Sequence, residues 1–249
     1  MPSSVVTPAA AEQQKDNLCG PFWAARVLRD AGFEADEELL AQRAGTLLPD
    51  VEREASVPPG AASKADYAVE LPVVPPAESG TAAGALAAAI EAISGRALCC
   101  VPLRGGWTAE RVERLVADGH ARGARLLANL RTGRLWGSRP PAESLLAELE
   151  GRSAPAPAAQ WDVGHYAELA MLVRGPGGSL VAVRDSYPTL GWNGTHLQPP
   201  RAVAEALERS DGREGGVLAV VPSDSVPVLE ELGRSLGLEA AIWDNGTRR

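Results

Sequence analysis

Lysine is nearly missing from these 249 residues, occurring only at Lys15 and Lys64, and the 24 basic residues are outnumbered by 32 acidic ones. With a formal charge of −8 and its arginines scattered among acids, the chain offers no basic face of the kind a nucleic-acid groove needs. Long apolar runs are missing too. Nothing approaches the roughly 18 uninterrupted apolar residues of a membrane span, and the opening MPSSVVTPAAAEQQKDN lacks the basic start and apolar core of a secretory signal. A cytoplasmic protein without a membrane span is expected. Cysteine occurs three times, twice as the neighbours Cys99 and Cys100, which is neither a secreted disulfide framework nor a zinc spacing. A reducing compartment is expected, and neither metal nor cofactor. Histidine also occurs three times, so candidates for a general base are few. No internal repeat is visible.

What is present reads as one domain over 13–249, after a flexible leader at 1–12 and with a Pro/Gly/Ala-rich insertion around 49–106. Between Leu18 and Ala31 the apolar residues Phe22, Ala25 and Leu28 recur at the helical period, and Gly32 supplies a stop. Helices are also expected at 36–45, 82–94, 108–123, within 138–160 ahead of a Pro/Ala linker, at 199–209 and at 226–237. Thr108 is the N-cap of the third of these after the first helix. Apolar runs at 97–103, 124–130 and 216–222 read as strands, and 163–173 with 179–186, joined by Gly175–Gly178, as an antiparallel hairpin. The expected fold class is α+β, with the first helix packed on a mostly antiparallel sheet.

Only one cysteine sits where chemistry is favoured. Cys19 lies in the first turn of the first helix, where unpaired amides and the helix dipole stabilise a thiolate. Gly20 allows close approach of a substrate backbone, and Pro21 suits a first turn because it has no N–H to leave unpaired. The alternative is a small buried hydrophobe, the ordinary fate of a free cysteine. Of the histidines, His120 ends a helix beside Gly and reads as exposed, and His196 falls in the turn-rich loop 193–200. His165 opens a strand and shares a face with Ala167, Leu169 and Met171, at the rim of the sheet. Asp185 closes the partner strand of the hairpin and can orient that imidazole, or instead cap the turn 185–191. Gln13 or Gln14, with the backbone N–H of Cys19, is placed to supply an oxyanion hole. Cys99 and Cys100 read as structural. Trp136, Trp161 and Trp192 fall in loops, as partial lids on a groove or as aromatics closing a core edge.

Taken together, Gln13, Cys19-Gly20-Pro21, His165 and Asp185 resemble the pattern of the papain-like cysteine peptidases. Within them the chain resembles the double-glycine leader peptidase-like group that processes bacterial peptides. Phe22 and Trp23 are similar to the aromatic continuation of the catalytic helix in those enzymes, and the six-residue spacing to Cys19 favours Gln13 over Gln14. Leu18 stands where the leader peptidases commonly have Asp. The resemblance covers roughly 13–45 and 108–222. It implies a papain-like fold and a Cys19, His165, Asp185 triad with Gln13 in the oxyanion hole, hydrolysing a peptide bond in a peptide or protein substrate through an acyl-enzyme. Two alternatives share the pattern: an acyl transferase or macrocyclase using the same triad, and a catalytically silent peptide-binding protein of the same fold.

Overall fold

A computed structural model describes residues 12–51, 57–209 and 211–248. The expected leader therefore lies, but for Glu12, outside the described residues. Seven α-helices are present among them: α1 Cys19–Asp30, α2 Glu37–Arg43, α3 Ala83–Ile93, α4 Ala109–Ala121, α5 Ala142–Leu149, α6 Pro200–Glu208 and α7 Val226–Ser235. Eight strands accompany them: β1 Leu48–Pro49, β2 Val73–Val74, β3 Leu98–Arg104, β4 Arg125–Arg131, β5 Gly164–Arg174, β6 Ser179–Arg184, β7 Thr195–Gln198 and β8 Gly216–Pro222. The fold is mixed α+β. Its centre is a six-stranded sheet in the order β3-β8-β4-β5-β6-β7, antiparallel at every junction.

Helices cover both faces of this sheet. On one, α1, α2 and α3 pack through Leu28, Leu40, Leu86 and Ile90 onto Leu127, Tyr166, Leu218 and Val220. On the other, α4, α6 and α7 pack through Leu115, Val203, Leu207 and Leu232 onto Leu126, Leu130, Leu169 and Val217. A central strand covered on both sides needs apolar residues at every position rather than at alternate ones, and β8 is buried from Gly216 through Val221. Each large aliphatic side chain taken out of water there contributes about 1.5–3 kcal/mol.

The local signals act as expected at several ends. Thr108 accepts from the backbone N–H of Arg111, Asp36 caps α2, and Gly32 adopts φ +89° where α1 stops. Elsewhere the structure departs from the sequence reading. Of the insertion around 49–106, α3 and β3 belong to the core, so the irregular part is narrower. Among the described residues it comprises 57–72, bracketed by the short β1/β2 pair, and the 3₁₀ turn Pro76–Glu78. Residues 195–198, read as loop, form the edge strand β7. A β-bulge between Leu169 and Met171 breaks the alternation of β5, so Met171 does not continue the face of His165, Ala167 and Leu169. It is 54% exposed, and Leu172 packs against the core instead. His120 is half-buried rather than exposed. Its Nε2 lies 2.8 Å from the carbonyl oxygen of Leu169, at that bulge. No helix among the described residues is long and apolar enough to cross a membrane.

Candidate functional site

The N-terminus of α1 and the start of β5 meet at one end of the sheet. There Cys19 and His165 line the same cavity, of about 510 Å3, together with Gln14, Asn17, Trp161 and Tyr187. No side chain caps α1: Leu18 occupies the N-cap, and Asn17 before it turns the chain with φ +62°, a conformation Asn tolerates. First-turn N–H groups are thus left beside Cys19 without a side-chain acceptor. Gly20 has a different reason from the one the sequence suggested. It faces inward, where a Cβ would lie 3.1 Å from Tyr166 and 3.2 Å from Leu86, so it lets α1 approach the sheet.

His165 is buried, and its Nε2 lies 3.2 Å from Oδ2 of Asp185. The contact is bent away from the N–H direction, and Nε2 has no hydrogen-bond partner among the described residues. Register explains the pairing. Glu168 opposes Arg184, so Asp185 follows the last ladder residue of β6 and falls diagonally across from His165. The other oxygen of Asp185, Oδ1, accepts the backbone N–H of Tyr187 at 3.0 Å. Both roles left open by the sequence, turn cap and imidazole partner, coexist in one carboxylate.

Burial alone would lower the pKa of His165, but the charges of Asp185 and then Cys19 outweigh it and raise the value to about 10. Burial would raise Asp185, and the facing His165 charge together with its hydrogen bonds holds it below the usual carboxylate range. A second imidazole shares this carboxylate. His196 is buried on β7, with Nδ1 2.9 Å from the amide Nε2 of Gln198, and burial pushes its pKa down. An amide N–H donating to Nδ1 leaves the proton of a neutral ring on Nε2. The Asp185 charge acts on both rings, in each case against the burial that lowers the imidazole pKa.

Trp161 packs edge-on against His165, with ring centroids 5.0 Å apart at 66°, and it meets Tyr187 at 5.5 Å. Of the other loop tryptophans, Trp136 packs under the guanidinium of Arg201 and Trp192 is exposed. Burial also pushes the Cys100 thiol well up, which makes it a poor nucleophile.

The expected oxyanion residue is corrected. Gln13 turns away from the cavity and donates from Nε2 to the carbonyl of Ala62 at 2.6 Å. Gln14 is the buried amide that lines the cavity, donating to the Tyr187 hydroxyl at 3.2 Å and accepting from Ser186. The cause is alternation along an extended segment. Backbone N–H groups of Gln14 and Asp16 bond the carbonyls of Ser186 and Lys64, and side chains 14 and 16 face inward while 13 and 15 do not. With both inward residues polar, no hydrophobic pattern marked the phase.

The sequence reading also missed the arginines of this cavity. Arg131 ends β4, Arg209 follows α6, and Arg213 lies on the loop to β8; all three line the cavity with Asp162 and Asp211. Arg209 is strained. With φ +53° and ψ 156° it occupies a region that is almost exclusive to glycine, at a cost of about 1–3 kcal/mol. Nothing at the end of the helix expected at 199–209 signalled this, since no glycine stands at 209. Among the described residues no three His, Cys, Asp or Glu side chains gather as a metal site.

No curated protein and no solved structure matches the chain. A family model matches residues 3–244, nearly the whole length, and the chain belongs to that family, described as a family of unknown function (DUF6885).

Proposed function

We propose that the protein is a papain-like cysteine peptidase in which Cys19 is the nucleophile, His165 the acid and base, and Asp185 the residue that orients His165. The observation that carries this reading is the burial of His165 at the wall of the Cys19 cavity with its Nε2 turned to a carboxylate. That orientation leaves Nδ1 for the thiol. The raised pKa of His165 keeps the ring charged beside the sulfur at neutral pH, the state an attacking thiolate needs in its partner.

In the reaction the sulfur of Cys19 adds to the peptide carbonyl, and the tetrahedral oxyanion is met by the Cys19 backbone N–H and the Gln14 amide. The Gln14 amide, which in the free protein donates to the Lys15 carbonyl at 3.1 Å and the Tyr187 hydroxyl at 3.2 Å, would give up one of these to do so. His165 then gives its proton to the departing amine, leaving a thioester. Neutral His165 takes a proton from water, whose oxygen displaces the sulfur and releases the acid. Trp161 keeps solvent off the His165–Asp185 contact, where water would weaken it.

Iodoacetamide alkylation of Cys19, followed by peptide mass spectrometry so that Cys99 and Cys100 are counted separately, tests the reading without a known substrate. At pH 6 the wild-type rate exceeds that of His165→Ala by at least about tenfold. Equal rates in the two proteins would remove the proposal.

A further inference from the structure

The Cys19 cavity carries more charge than this chemistry uses. Besides His165, its described walls hold three guanidinium groups, Arg131, Arg209 and Arg213, against two carboxylates, Asp162 and Asp211. The cavity is locally positive in a chain whose formal charge is −8.

The three arginines are not equivalent. Arg131 contacts Asp162 at 2.5 Å and Asp211 at 3.4 Å. Arg209, with a side chain only 1% exposed, bonds Asp211 through Nε at 3.0 Å and Nη2 at 2.6 Å. Arg213 donates to the carbonyl of Ala77 at 2.6 Å, and among the described residues no carboxylate pairs with it. Two acids therefore balance two of the guanidinium groups, and Arg213 is the one left over.

The fold makes room for this cluster. The Gly-only backbone conformation of Arg209 is held although it is unfavourable, which is the behaviour of a functional position. A Cβ on Gly164, next to His165, would lie 3.2 Å from Nη2 of Arg209, and one on Gly246 would collide with Arg213. Glycine stands where either guanidinium needs space. The walls of one cavity carry Cys19, His165 and the three arginines, so the cluster and the thiol face the same space.

We propose that these arginines form a carboxylate subsite beside the nucleophile, which selects peptides with an acidic side chain or a free C-terminal carboxylate close to the reacting carbonyl. Arg213 takes the carboxylate, and the paired Arg131 and Arg209 add positive potential behind it. Guanidinium and carboxylate match as planar, two-point partners, and such bonds strengthen where water is sparse. The assignment rests on the peptidase reading for its purpose and on the arginines for its chemistry.

The test is binding to the full-length Cys19→Ala protein, which cannot turn over substrate, followed by calorimetry. Three blocked tetrapeptides serve as probes: one with glutamate, one with glutamine in its place, and the glutamine peptide with its C-terminal block removed. At least one carboxylate probe binds about tenfold or more tighter than the neutral one, and which one identifies the source of the carboxylate. Adding Arg213→Gln abolishes the difference, whereas Arg213→Lys retains most of it, with circular dichroism showing that both remain folded. Equal affinity for the three probes, no binding up to millimolar concentration, or a preference that survives Arg213→Gln would each overturn the proposal. The alkylation test is independent: a carboxylate preference with an unactivated thiol would sink the peptidase reading and leave the subsite standing, and the reverse result would do the opposite.

Discussion

A single carboxylate, Asp185, governs the charge of the candidate site. It accepts the Tyr187 N–H with one oxygen and faces His165 with the other, and its charge also acts on the buried His196. Because its charge heads the influences that raise His165, Asp185→Asn moves the His165 pKa down by at least about one unit toward the ordinary imidazole range. Nitrogen-detected titration of the ring measures this. The sign for stability follows: the native ring holds its proton more tightly than the unfolded one, so its contribution is complete below about pH 6.5 and fades toward pH 10. A wild-type advantage over Asp185→Asn that grew with pH above neutrality would contradict this account. At this scale the sequence was readable where a residue type is scarce. Three histidines and one cysteine at a helix start left little choice, whereas two adjacent glutamines were separable only through the phase of an extended backbone.

Among the elements, α1 shows how closely chemistry and packing are tied. Its start carries Cys19, and its approach to β5 is set by Gly20 over Tyr166 and Leu86. Gly20→Ala would put a Cβ 3.1 Å from Tyr166 and 3.2 Å from Leu86, costing about 1–3 kcal/mol in urea denaturation and shifting Cys19 relative to His165. A stable protein with unchanged Cys19 alkylation would mean that the helix has slack there. Long periodic segments were legible for the reason α1 is: an apolar face must repeat with the helix, and caps such as Thr108 and Asp36 mark its ends. Short elements were not. β7 has four residues, one of them a histidine, and it exists because β6 offers an edge to pair with rather than because of its own propensity. The bulge in β5 was equally silent, since no glycine marks it and its stabilising neighbour, His120, lies 49 residues away.

Across the whole molecule, the cavity lies between the end of the sheet and the irregular segment after α2, which supplies Pro49, Val51, Pro76, Ala77, Ser79 and Gly80 to its lining. That segment is tied down chiefly by polar contacts to the residues leading into α1. Asp16, fully buried, accepts the Ser63 hydroxyl and the backbone N–H of Lys64, its carbonyl takes the Tyr67 hydroxyl, and Gln13 and Lys15 bond the carbonyls of Ala62 and Asp66. A stretch rich in Pro, Gly and Ala has little apolar surface to hold it, so its order depends on these few bonds. Composition alone therefore read it as a loop, and its role as a wall became visible only with its partners in place. Asp16→Ala removes the acceptor shared by Ser63 and Lys64, and native-state proteolysis within 57–72 accelerates by at least about fivefold while the sheet core resists as before. If cleavage there kept its wild-type rate, the anchoring would lie instead in the Leu47–Gly80 bridge and the β1/β2 pair. The wall would then be fixed from its ends, and the segment between them would be free to change without disturbing Cys19.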